Sequence, residues 1–422
     1  MRAFSLVATV FLACAAAGCD EGGGGQGLLA DATGDTRSDA TPDAAPSALA
    51  QEAKRLELDR YLFTGPEPVV EEVDGDTTTY RMEPGDGPLC MRGGPFRFAV
   101  RELASDRVVI FLQGGGACWS EFCLAVNAAP SGIPSVDALD RDMEANPLRD
   151  WSVVYLPYCD GSLFVGDADV DEDDDGTPDR FHRGLHNLSA ALRKAHDIFP
   201  NPKRVLLVGS SAGGFGTIPA TILVRATWER AHIDVFNDSG VGVAKPGDAA
   251  FISGLLDEFN ATRFIPDTCP DCVTTGHITP LIEWTLARDT DIRIAVFSSY
   301  YDSIIADVFL KIAPAAFRDA LLSETDRIHA AYPDRYRRFF VDGVTHTAML
   351  GDPTGIIGSD LTAIELPPNS SDLLTKVKIG GLDVTKSGET LVGDWLEAFV
   401  TDDPAWVERI ETPGDPPGTT PK

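Results

Sequence analysis

Arg204-Val205-Leu206-Leu207-Val208-Gly209-Ser210-Ser211-Ala212-Gly213-Gly214 decides how the rest of the chain is read. An apolar, partly β-branched run enters a G-x-S-x-G pattern, and residues from about Phe215 to Arg230 follow as a helical stretch. Strand, tight turn and helix together form the setting of a nucleophile elbow. Glycines flank the serine because such a turn leaves no room for side chains, and the turn lifts the hydroxyl clear of the sheet. The helix N-terminus behind it favours developing negative charge. A Gly/Ser-rich loop is the plainer reading of the pattern alone, but the strand before it and the helix after it favour the elbow. Ser211 is the candidate nucleophile and Ser210 its neighbour.

The same arrangement recurs along the chain. Short β-branched runs at Arg107–Leu112, Ser152–Leu156, Arg204–Val208, His232–Phe236, Arg293–Phe297 and Arg338–Val341 alternate with longer helical stretches. This alternation predicts an α/β fold, a mostly parallel sheet with crossover helices on both faces. Each run is followed at once by polar or glycine-rich sequence: QGGGACW, PYCDGS, GSSAGG, NDSG, SSYYDS and DGVTH. Ligands of open parallel sheets bind beyond the carboxyl ends of the strands, so these segments are expected at one edge.

A serine nucleophile needs a base, and the base needs an orienting acid. Four histidines follow Ser211: His232, His277, His329 and His346. His232 begins a strand, His277 lies near a cysteine pair and His329 sits in a helical stretch. His346 alone follows a strand into a loop at the productive edge. Asp302 directly follows RIAVF and is the favoured acid, with Asp238 in Asn237-Asp238-Ser239-Gly240 as its competitor. The order Ser, acid, His is that of α/β-hydrolases. Gln113-Gly114-Gly115-Gly116 is placed to complete an oxyanion hole, with the Ala212 amide as one donor and Gly115 or Gly116 as the other. Each such donor is worth about 3 kcal/mol in the transition state.

Taken in order, the motifs resemble the pectin acetylesterase/Notum family of α/β-hydrolase-like carboxylesterases. They are Phe111–Gly116 with Cys118, Trp119 and Cys123, Tyr158–Ser162, Phe181–Gly184, Gly209–Gly214, Asn237–Gly240, Tyr301-Asp302-Ser303 and Thr345-His346. The resemblance runs over roughly Leu56 to Leu350. It implies a triad of Ser211, Asp302 and His346 and a disulfide between Cys118 and Cys123. Two departures stand out: Ser210 where the family usually has Cys, and Gly-Gly-Gly-Ala-Cys-Trp where it has a Gly-Gly-Trp-type loop. The reaction implied is ester hydrolysis through an acyl-enzyme, on a polysaccharide acetyl or another short-acyl ester. A lipase, thioesterase or peptidase would use the same machinery, and a non-catalytic, calcium-stabilised binding lipoprotein is the alternative outside enzymes. The reaction requires no cofactor.

The ends of the chain bear on location. Arg2 precedes an apolar run from Phe4 to Ala17, too short to span a bilayer and shaped like a signal peptide. Ala16-Ala17-Gly18-Cys19 resembles the lipobox of bacterial lipoproteins, which would make Cys19 a lipid anchor. The expected organisation is a leader at 1–18, a disordered tether at 19–50, a catalytic domain at 51–410 and a loose tail at 411–422. Export to the bacterial cell envelope, on its periplasmic or cell-surface side, follows from the leader, with the membrane touched only through the anchor.

Six cysteines remain, an even number in an exported chain. Cys118 with Cys123 and Cys269 with Cys272 are the local pairings, which leaves Cys90 with Cys159. The 35 basic and 65 acidic residues give a net charge of -30, which argues against nucleic acid or anionic lipid as a partner. An acidic stretch from Asp167 to Asp179 places Asp171, Asp173, Asp175 and Asp179 at positions 1, 3, 5 and 9 of an EF-hand-like loop. Gly176 falls at position 6, but position 12 is His182 rather than glutamate. The loop is therefore a candidate structural Ca²⁺ site, against the plainer reading of a solvated acidic loop. His182 and His186, four apart, have no third ligand and read as ordinary surface or core residues.

Overall fold

The computed structural model describes residues 45–85, 87–352, 363–367 and 377–417. The leader, Cys19 and the tether up to residue 44 lie outside the described residues. In chain order the strands begin with β1 (Val69–Asp74), β2 (Thr77–Arg81), β3 (Arg97–Arg101) and β4 (Ala104–Leu112). Hairpin strands β5 (Gly116–Trp119) and β6 (Phe122–Val126) precede β7 (Trp151–Leu156), and a short pair follows, β8 (Ala168–Val170) and β9 (Arg180–His182). Then come β10 (Arg204–Ser210), β11 (His232–Asp238), β12 (Ile292–Ser299) and β13 (Tyr336–Val341). The last are β14 (Ile364–Glu365), β15 (Lys386–Ser387), β16 (Thr390–Leu391) and β17 (Arg409–Ile410). The α-helices are α1 (Ala48–Arg55), α2 (Gly184–Ile198), α3 (Ala212–Thr227) and α4 (Ala249–Glu258). They continue with α5 (Thr279–Arg288), α6 (Pro314–Ala331) and α7 (Val392–Val400).

Ten strands form one sheet in the order β1-β2-β3-β7-β4-β10-β11-β12-β13-β17. From β7 to β17 all neighbours are parallel. The first three strands add an antiparallel edge. The central strands are apolar at nearly every position because both faces are covered. Val108, Ile110, Val205 and Leu207 join one core cluster, while Val109, Phe111, Leu206 and Val208 join a second cluster with Trp395 and Phe399 of α7. The period of two along each strand thus divides its side chains between two cores.

All six runs expected from the sequence are strands, extended by one to three residues at one or both ends. β1 to β3 and β17 add edges the sequence did not announce. β1 carries Glu71, Glu72 and Asp74 and is exposed throughout, so it lacks the apolar alternation that marks a strand. Structure also begins before residue 51: α1 starts at Ala48, and Leu49, Ala50 and Ala53 are fully buried against the core. Burial of that apolar stripe outweighs the polar composition on which the tether reading rested. The tail is not loose from its first residue, since Glu411 N–H donates to the Phe340 carbonyl at 3.0 Å. Tyr300 and Tyr301 hydroxyls donate to the carbonyls of Glu411 and Gly414. Disulfides join Cys90–Cys159, Cys118–Cys123 and Cys269–Cys272. Among the described residues no helix is long and apolar enough to cross a membrane.

Candidate active site

Strand register decides what meets at the carboxyl edge. Gly209 pairs with Leu112 on one side and Asn237 on the other, and Ser210 pairs with Asp238. Asp238 pairs with Phe297, and Ser299 with Val341. The segments that begin at Gln113, Ser211, Ser239, Tyr300 and Asp342 therefore leave the sheet side by side.

Ser211 holds φ 55° and ψ -116°, a backbone conformation that costs a non-glycine residue on the order of 1–3 kcal/mol. The surroundings enforce it. Ser211 N–H donates to the Asp238 carbonyl at 2.7 Å, and the Ser211 carbonyl accepts from Phe215 N–H at 3.1 Å. A Cβ at Gly209 would lie 2.1 Å from the Gly213 carbonyl oxygen, and one at Gly213 would lie 2.1 Å from that of Leu112. Both glycines are required by close backbone approach at the elbow. α3 opens at Ala212, so its amide belongs to the helix turn whose N–H groups lack intrahelical acceptors.

His346 and Asp302 meet. The His346 Nδ1 lies 2.8 Å from Asp302 Oδ2, and both residues are buried. The other Asp302 oxygen accepts the N–H groups of Ile304 and Ile305, each at 3.0 Å. That arrangement fixes the carboxylate and assigns the proton on Nδ1 to the Asp302 side of the ring, leaving Nε2 as the basic nitrogen. The remaining histidines after Ser211 are engaged elsewhere. His232 sits between Asp234 and Asp291, His277 Nδ1 accepts from Ala244 N–H, and His329 Nδ1 faces the Tyr336 carbonyl.

Asp238, the competing acid, has a different position. Its Oδ1 accepts Ala348 N–H at 2.8 Å, and its Oδ2 accepts the Ser210 hydroxyl at 2.7 Å and Met349 N–H at 3.1 Å. Beside it, the Ser239 hydroxyl oxygen accepts Thr347 N–H, and the Ser299 hydroxyl donates to the Thr345 carbonyl. The loop that carries His346 is thus pinned on both sides of the histidine. Sequence reasoning missed these braces, although Asn237-Asp238-Ser239-Gly240 directly after a strand was a visible signal.

The glycine loop is built in as firmly. The Gln113 side-chain oxygen accepts Tyr158 N–H at 3.0 Å, and a Cβ at Gly115 would lie 2.4 Å from the Tyr158 ring. Gly116 has φ 87°, and a Cβ there would lie 1.9 Å from the Leu124 carbonyl oxygen. Gly116, Ser211 and Ala212 line one pocket of about 530 Å³ counted out to its open mouth. Gly115 is not part of that lining; its carbonyl accepts Val126 N–H. Leu163, Phe215, Phe251, Ile252, Leu255 and Phe309 are among the residues of its wall, which is almost wholly apolar.

The acidic loop lies apart from this pocket. Carboxylate oxygens of Asp171, Asp173 and Asp179 lie within 4.8 Å of one another, but Asp175 is not in that group. The Asp175 carboxylate accepts Thr177 N–H, and Asp171 accepts from Asp175 and Gly176. His182 turns inward, with Nδ1 3.2 Å from the Asp160 carbonyl oxygen and its ring against Phe259. Burial pulls its pKa down to about 4.

No curated protein matches the chain. Residues 71–251, less than half of the chain, match the pectinacetylesterase family model, a stretch that runs from β1 through the glycine loop and the Ser211 elbow into α4 and ends before Asp302 and His346.

Proposed function

We propose that the chain is a serine carboxylesterase that works through an acyl-enzyme on Ser211. The observation that carries this reading is the buried Asp302–His346 pair, delivered by adjacent loops to the strand edge from which the strained Ser211 elbow rises. His346 Nε2 takes the Ser211 proton as Oγ attacks the ester carbonyl. Amides of Ala212 and Gly116 receive the oxyanion. His346 then returns the proton to the departing alcohol, and water, deprotonated by the same nitrogen, releases the acid.

An apolar pocket beside the nucleophile fits the hydrocarbon end of an acyl group. The side chains of Leu163, Phe215, Ile252 and Leu255 that wall it also wall a second apolar cavity, which Phe264 and Ile278 line further on. A wall in that position favours a short chain, acetyl to butyryl, and the alcohol, on the open side, is taken to be a polysaccharide. The leader and Cys19 would hold the enzyme at the bacterial cell envelope.

Hydrolysis of p-nitrophenyl acetate, butyrate and palmitate by the full chain, beside Ser211→Ala, tests the reading. Acetate and butyrate should turn over far faster than palmitate, and Ser211→Ala should lower kcat by about 10³-fold or more. A wild type inert on every ester would leave a binding lipoprotein with the fold of a hydrolase.

A further inference from the structure

One buried carboxylate reaches both halves of the proposed catalytic machinery. Asp238 ends β11 and is fully buried. Its main-chain oxygen holds Ser211 N–H, and its side chain holds the Ser210 hydroxyl one residue before the nucleophile. The same side chain holds the N–H groups of Ala348 and Met349, two and three residues after His346. The Asp302–His346 contact fixes the ring on its far side but says nothing about its distance from Ser211. We propose that Asp238 is a positioning residue that clamps the His346 loop to the Ser211 elbow, with the Ser210 hydroxyl as one of its donors. This proposal rests on the esterase reading.

The chemistry requires a carboxylate there. Three donors converge on the side chain, and an ionised carboxylate accepts all of them, whereas an asparagine offers one oxygen and brings two N–H groups of its own. Burial pushes the Asp238 carboxyl up to about 6, so ionisation is opposed by the site and sustained by those donors. The elements packed around it contribute little charge. β10 presents the Ser210 hydroxyl, β12 presents Phe297 in register, and α3 presents the glycine backbone at Gly214. His346, backed by Asp302, is the ionisable group whose charge bears on it. A structural buried aspartate would satisfy loose N–H groups of one loop. Asp238 instead joins two segments that must stay in register for a proton to pass. The Ser210 hydroxyl, 2.7 Å from Asp238 Oδ2, is a stronger donor than a thiol would be in its place.

The test is a pH series from 5 to 9 on p-nitrophenyl butyrate with the full chain and its Asp238→Asn, Ser210→Ala and Ser210→Cys variants, with melting temperatures measured alongside. Asp238→Asn should lower kcat roughly 30- to 100-fold with KM within about twofold, the size expected for a misplaced catalytic group. Its melting temperature at pH 7.5 should stay within a few degrees of wild type, because relief of a buried charge offsets the donors left without a full acceptor. The acid limb of the wild-type kcat profile should carry an extra inflection near pH 6 that Asp238→Asn lacks. Ser210→Ala should lose several-fold in kcat, and Ser210→Cys should recover part of it. If Asp238→Asn fails to fold, the two Ser210 variants carry the test. Unchanged kcat and acid limb in the variants, beside an active wild type, would sink the clamp and leave the esterase standing. A parallel fall of kcat and melting temperature with KM rising would reduce Asp238 to a structural residue. A wild type that neither turns over esters nor labels at Ser211 with a fluorophosphonate would remove the esterase reading and the clamp with it.

Discussion

At the scale of single residues, Ser211 was legible because the strand, the glycines and the helix all announce the elbow in one short stretch. Asp302 was favoured over Asp238 by its placement, but on weaker terms. Asp238 ends β11 and Asp302 follows β12 by three residues, so both emerge at the productive edge, and the hydrogen-bond geometry decides their roles. Oδ2 of Asp302 faces the imidazole, whereas Asp238 faces a hydroxyl and two amides. Their replacements should therefore fail differently. Asp302→Asn keeps the volume but offers the ring an amide that can turn an N–H towards Nδ1 and stabilise the wrong tautomer. Its kcat should fall by roughly 10²- to 10⁴-fold with KM little changed. Steady-state kinetics on p-nitrophenyl butyrate would measure this. An Asp302→Asn variant that keeps most of its kcat would move the acid elsewhere.

At the scale of elements, the six apolar strands were readable because burial on both faces leaves an unbroken apolar run. The edge strands β1 to β3 and the hairpin of β5 and β6 were not. β1 is polar and exposed, β2 is mixed, and β3, β5 and β6 are only four or five residues long; they are strands because neighbours supply hydrogen bonds, which no local pattern records. α4 carries a functional consequence that sequence could not show. Phe251, Ile252 and Leu255 lie on one side of it, against Ser211's pocket, and Ile252 and Leu255 also back onto the cavity lined by Phe264 and Ile278. Truncating Leu255 to alanine should join the two spaces. Turnover of p-nitrophenyl octanoate relative to acetate should then rise by about tenfold, since each accommodated methylene is worth about 0.8 kcal/mol and only a few can be newly covered. Leu255 is only half-buried, so the stability cost should fall below the 2–5 kcal/mol of a fully buried leucine. An unchanged chain-length profile would mean that the wall does not set acyl length.

At the scale of the whole molecule, charge and site pull in opposite directions. A net charge of -30 belongs to a chain with two lysines next in sequence to residues of the pocket wall. Lys245 follows the lining residue Ala244, and its ammonium lies 5.0 Å over the Phe251 ring; Lys311 follows Leu310 and lies 4.9 Å over Phe122. An acetylated polyuronide approaching this protein meets general repulsion at long range and two cations at short range. Ionic strength decides which effect dominates. The Debye length is about 30 Å at 0.01 M and about 8 Å at 0.15 M, so salt removes the field of distant carboxylates before it weakens contacts with these lysines. The rate constant kcat/KM for an acetylated galacturonan should therefore rise between 0.01 and 0.15 M salt, while that for a neutral acetylated xylan stays flat. Replacing both lysines by glutamine should lower the polyuronide rate severalfold at 0.15 M and leave p-nitrophenyl butyrate untouched. Acetate release measured across this salt series distinguishes the cases. A polyuronide rate that falls steadily with salt would show the two lysines outweighing the total charge at every distance, and equal rates on both polymers would mean that neither field reaches the substrate.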